Sequence, residues 1–216
     1  MAKYYYYIAG MADLNASNPK AAPEMETLRE ELRETLTKRD FRLVEMLDEK
    51  LIASEDGTLD REKAEEYYRV RLTCHNKFMR RWTEFNLNIN NIMTALICRQ
   101  NGWNIADNIV GKNAVTDAIM ANQNVKDFGL RDEVDNMGAL MQILDTENLM
   151  EREQRIDALK WQWLEENTMF EFFTVEQVLV QFLKAQMLNR WNILTAEEGE
   201  RVFRQIIENL KKDVKF

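Results

Sequence analysis

Proline occurs at positions 19 and 23 and nowhere else in the chain, so from Glu24 to Phe216 no residue forbids a helix. Only seven glycines are present. A sandwich or barrel of 216 residues needs many turns, and the residues that make them are too few. The fold class expected is therefore all-α. With 45% hydrophobic and 31% charged residues, the chain has the balance of a globular protein rather than a disordered one.

The hydrophobic spacing places the helices. Glu24 to Thr37 carries Met25, Leu28, Leu32 and Leu36 at intervals of three and four. Lys38 to Ala53 continues in the same style and stops at the turn-forming Ser54-Glu55-Asp56-Gly57. A helix from Thr58 to Trp82, capped by Thr58 or Asp60, is followed by another from Asn88 to Gln100 that ends at Gly102. Asn104 to Gly138 has short apolar clusters broken by glycine and asparagine, which predicts short helices and tight turns. Three further helices follow, at Asp145 to Asn167, Val175 to Trp191 and Thr195 to Asp213. Thr174 and Gln177 form a capping-box pattern before the second of these. Lys3 to Ala9, with four tyrosines and an isoleucine, has β character but no partner strand; an arm packed on helices is expected ahead of the alternative, the first turns of a buried helix. The lobes expected are 1–103 and 139–216, with 104–138 as a connecting region.

The same residues exclude several kinds of chemistry. A net charge of −8 repels phosphate backbones and anionic membranes. Arg69, Arg71, Lys77, Arg80 and Arg81 form a local basic run that reads as a solvated helix face. His75 is the single histidine, so a helical di-iron site with two Glu-x-x-His pairs is ruled out. Cys74 and Cys98 are too few for a disulfide framework or a closed zinc site. No phosphate-cradling or nucleophile-elbow motif occurs. No secretory signal is visible, and no run approaches the ~20 apolar residues of a membrane span. The chain is expected to be non-catalytic, without cofactor or metal, and cytoplasmic.

Aromatic residues supply the positive signal. Trp161 and Trp163, two positions apart, diverge by about 200° on a helix, so one should face away from the main packing seam. With Phe170, Phe172 and Phe173 close by, the region has the composition of an interface anchor or, equally, of a thick core between two lobes.

Three segments carry a family resemblance. Asn86 to Arg99 (NLNINNIMTALICR), with Gln100 to Trp103 after it, resembles a helix of the C-type subunit of V-type ATPases that has an Asn-Ile-x-x-x-Leu-x-x-Arg pattern. Asn91, Ile92, Leu96 and Arg99 occupy those positions. Val178 to Leu194 is similar to a second helix type of that family. The opening KYYYYIAGMADL is similar to an uncharacterised bacterial family encoded among V-type ATPase genes.

The resemblance implies a funnel-like, all-helical subunit that couples the membrane rotor ring to the central stalk. It would have no active site and would be held at the inner face of the membrane by its protein partners. Two departures stand out: the C-type subunit is usually longer, with three lobes, and its arginine-rich opening helix is replaced here by the tyrosine segment. The expected partners are ring and stalk subunits, bound through Asn91, Arg99, Trp161 and Trp163, with Asn91 and Arg99 as a polar rim. The alternative is a helical adaptor or regulator unrelated to ATPases, taking partner helices in a groove.

Overall fold

A computed structural model describes residues 4–11, 14–15, 19–49 and 60–193. Among them are nine α-helices and no strand. They are α1 (Tyr5–Gly10), α2 (Met25–Thr35), α3 (Lys38–Asp48), α4 (Arg61–Leu72), α5 (Lys77–Asn101), α6 (Ala114–Ala121), α7 (Met137–Leu144), α8 (Leu149–Thr168) and α9 (Val175–Ile193). The turn at Ser54–Gly57, Thr58 and the helix read at Thr195 to Asp213 lie outside the described residues.

Contacts divide the chain into two compact units, one of Met1–Val44 with Leu164–Phe216 and one of Glu45–Trp163. The division is not the consecutive one drawn from sequence. The first unit joins the two ends of the chain because α2 and the 3-10 turn Pro19–Ala21 pack on α9. Nor does 104–138 act as a connector: Ile105, Ile109, Val115, Ile119, Phe128 and Leu130 belong to one hydrophobic core with α5 and α7.

In the terminal unit, α9 is buried on nearly every side from Val178 to Leu188, with Gln181 and Lys184 as buried polar members. Val178, Leu179, Phe182, Ala185 and Leu188 have no exposed surface. That is the pattern of a central core helix rather than a surface one. Leu28 and Leu32 give α2 its buried stripe, and Asn189 Nδ2 donates to the Pro23 carbonyl at 2.8 Å.

The tyrosine segment is a short helix, not an extended arm. Its β propensity has no neighbouring strand to pair with, so the backbone closes its hydrogen bonds locally. Tyr4 is buried beside it, and its hydroxyl donates to Asp40 and accepts from the Thr37 amide at 3.4 Å.

In the Glu45–Trp163 unit, α5 is one unbroken helix of 25 residues, with α4, α6 and α7 against it. The expected break after Trp82 is absent. It falls instead at 73–76, where Asn76 Oδ1 accepts from the Met79 amide and starts a new helix. Phe78, Met79, Trp82, Leu87 and Ile92 are all buried along it. At its far end Gly102 adopts φ +69°, and the Gly102 and Trp103 amides donate to the Arg99 and Cys98 carbonyls. Asp60 caps α4 through the Lys63 amide, and Asn113 and Thr116 form a reciprocal capping box on α6. Thr174 precedes α9 as expected, but its Oγ1 is buried with no hydrogen-bond partner, so the predicted cap bond is not made.

Candidate protein-binding surface

Asn91 is 3% exposed. Its Nδ2 donates to the Val110 carbonyl at 2.8 Å, and its Oδ1 accepts from the Val110 amide at 3.0 Å. The side-chain amide thus pairs with a loop backbone as a strand would, closing both hydrogen-bonding groups of one residue. Arg99 donates to the Val125 and Lys126 carbonyls at 2.7 Å each, and its guanidinium lies 4.6 Å from the centre of the Phe128 ring. Phe128 is fully buried at φ +52°, a conformation non-glycine residues rarely adopt. These placements correct the polar-rim reading. Asn91 faces inward, and both residues tie the segment after α5 back onto it.

The two tryptophans are also engaged. Trp161 is buried. Trp163 stacks on Phe85, with ring centres 4.9 Å apart and planes 17° from parallel. Trp82 and Phe78 lie 5.5 and 6.1 Å from it, and the Arg81 guanidinium 5.9 Å. Such a cluster contributes about 0.5–1.5 kcal/mol per aromatic pair beyond its buried area. Trp163 does line an open cavity of about 300 Å³, whose other walls include Arg81, Glu84, Asn88 and Glu133.

The basic run does not form a face. Arg71 is buried, which corrects its reading as solvated: it donates to the Met46 and Tyr67 carbonyls and to Glu49 Oε2, and sits over the Tyr67 ring. Burial pushes the Tyr67 hydroxyl above its ordinary pKa, against the pull of the Arg71 charge. Arg69 pairs with Glu66, and Arg80 donates to the Cys74 carbonyl. His75 and Cys74 lie in the 73–76 turn, not on a helix as expected. Cys98 is buried, and desolvation raises its thiol pKa. Among the described residues no group of three or more His, Cys, Asp or Glu could hold a metal ion. None of the described helices is long and apolar enough to cross a membrane.

Trp103 and Leu149 are exposed singly in the Glu45–Trp163 unit, whereas in the terminal unit three exposed apolar side chains fall together in sequence, between α8 and α9. Met169 is 59% exposed, Phe170 83% and Phe172 67%. The two residues after α8 are turn, and Phe173 takes φ +59°, which tucks its ring toward Tyr5 at a 4.6 Å centroid distance. Phe170 and Phe172, on either side of Glu171, stay outside. Tyr6 on α1 is 89% exposed and contacts Tyr5 edge-on. Beneath the loop a cavity of about 230 Å³ is lined by Ile8, Thr168, Phe172 and Val180, with the Lys184–Glu165 ion pair at 3.0 Å on its wall. Glu165, Glu166 and Glu171, close to the loop in the chain, are exposed, Glu165 being the one paired with Lys184. Sequence composition marked Phe170 and Phe172, but the exposure of Tyr6 and Met169 had no signal there.

Residues 44–214 match the family described as "Protein of unknown function (DUF2764)". The chain belongs to that family. No curated protein and no solved structure matches. The matched stretch takes in the α8–α9 loop and all of α9, while the tyrosine segment precedes it.

Proposed function

We propose that the chain is a non-catalytic protein-binding subunit that docks through its α8–α9 loop. The observation that carries this reading is the exposure of Met169, Phe170 and Phe172 together. Fully burying such a side chain is worth about 1.5–3 kcal/mol, and leaving three out of the core forgoes that gain. Aromatic anchors with a polar border are the usual centre of a binding surface. The surrounding glutamates select a partner with an apolar recess rimmed by lysine or arginine, and disfavour an anionic membrane.

For the identity of that partner, the support is the resemblance to the C-type subunit of V-type ATPases. On this reading the protein couples the central stalk to the membrane rotor ring, and reaches the membrane only through them. Asn91 and Arg99, the polar positions of the resembling helix, hold its fold rather than the partner.

Purifying the tagged chain from its native cell tests both parts. Rotor-ring or central-stalk subunits should accompany it, and Phe170→Ser with Phe172→Ser should lose them while the isolated chain melts as before. If another protein accompanies it through the same loop, the adaptor reading replaces the ATPase one. Retention of every partner by the double variant would end the loop as a docking site.

A further inference from the structure

Met169 is the one side chain of the α8–α9 loop that carries sulfur. It is 59% exposed, against 39% for Met120 on α6. Met79 and Met137 have no exposed surface, and Met93 and Met187 are buried as well. A thioether must meet its oxidant directly, so exposure sets the order in which methionines react. Among the described residues that order begins at Met169.

Hydrogen peroxide is the oxidant. The sulfur lone pair takes one peroxide oxygen: an S–O bond forms, the O–O bond breaks, and the second oxygen leaves as water. Sulfur gives up two electrons and the peroxide gains them. Sulfoxide reductases reverse the step, a dithiol becoming a disulfide while the oxygen leaves as water. The product exchanges an adaptable apolar side chain for a polar one with a strong hydrogen-bond acceptor. Met169 lies beside Phe170 in the chain, and with Ile8 and Phe172 it lines the cavity of about 230 Å³ under the loop. A partner seated on Met169, Phe170 and Phe172 must then bury the new oxygen against apolar surface, where an acceptor without a donor is costly.

We propose that Met169 is a reversible oxidation site whose sulfoxide turns the docking loop polar and releases the protein partner. The release rests on docking through this loop; the oxidation does not.

Peptide mass spectrometry of the full chain after graded doses of hydrogen peroxide reads the order of oxidation. Met169 should gain one oxygen ahead of Met120, and about tenfold faster than the buried Met79 and Met137. Chromatography on a phenyl matrix reads the loop without any partner. At the dose that oxidises Met169, the wild type should elute earlier than its untreated form. Met120→Leu should keep that shift and Met169→Leu should lose it. For the assembly purified on the tagged chain, the same dose should lower the bound partner about fivefold, as expected when an acceptor is buried unmet. Dithiothreitol alone, which reverses reversible thiol oxidation at Cys74, should not restore it, whereas sulfoxide reductase with dithiothreitol should. Each variant is compared with its own untreated form, and Met169→Leu should hold its partner through the treatment. Retention of every partner by Phe170→Ser with Phe172→Ser overturns docking through the loop and the release with it, while the order of oxidation still decides the site. The proposal is overturned if Met120 or a buried methionine reacts before Met169, if Met169→Leu shifts on the phenyl matrix as the wild type does, or if the wild type sheds no more partner than Met169→Leu.

Discussion

Two buried amides show how differently a fold can treat the same group. In Glu45–Trp163, Asn91 meets the amide and the carbonyl of Val110 with its own two polar atoms. In the terminal unit, Gln181 is buried with its oxygen unmet. Aromatic residues repeat the contrast: Trp163 is stacked on Phe85, whereas Phe170 and Phe172 stand in solvent. Polar and aromatic groups at Asn91, Arg71 and Trp163 are spent on holding the fold. At the α8–α9 loop they are left over, and exposed residues that the fold does not use are the ones available for binding.

That contrast predicts a graded set of losses. Replacing Arg71 by Met removes the donors to the Met46 and Tyr67 carbonyls, and should cost about 3 kcal/mol, as expected when charge-assisted bonds to buried carbonyls are lost. Urea unfolding followed by circular dichroism measures it, and a loss below ~1 kcal/mol breaks the comparison at its strongest point. Asn91→Leu should follow at roughly 2 kcal/mol, because it strands one donor and one acceptor on Val110. By the same physics Gln181→Met should shift stability by less than ~0.5 kcal/mol, or raise it. Equal losses at the two amides would erase the distinction between them.

Smaller still is the effect of Phe170→Ser with Phe172→Ser, expected within about ±0.5 kcal/mol as for other exposed sites. The smallest prediction concerns alkali. The folded-state pKa of Tyr7, about 12, lies above its ordinary value near 10, so the fold favours the protonated hydroxyl. Its contribution is complete below pH ~10 and lost as pH rises from there towards ~12. Tyr7→Phe should therefore flatten the fall in stability over that window, and an unchanged slope would show that other groups set it.

Much of this fold was legible because helix signals are local. The stripe of Leu28 and Leu32, the cap at Asp60 and the left-handed Gly102 follow from neighbours a few residues away. What failed depended on distant partners. Tyrosines with strand propensity form α1 because the described residues hold no strand for them to pair with, and because Tyr4 is held by Asp40, 36 positions on. Asn91 read as a surface amide until a loop 19 residues away met it. The candidate surface was half legible: composition pointed to Phe170 and Phe172. The left-handed Phe173 that turns them outward is a backbone property, with no glycine or asparagine to announce it.

The two cysteines give the protein a chemical clock of its own. A thiol reacts as its thiolate, and desolvation keeps Cys98 protonated inside the core, while Cys74 sits half-buried in the turn between α4 and α5. A maleimide dye added to the folded chain should therefore mark Cys74 within minutes and leave Cys98 dark. Cys98 becomes labelled only as fast as the helix around it opens. The wild-type sequence thus carries one handle for a fluorophore and one reporter of breathing, with no residue needing to be changed.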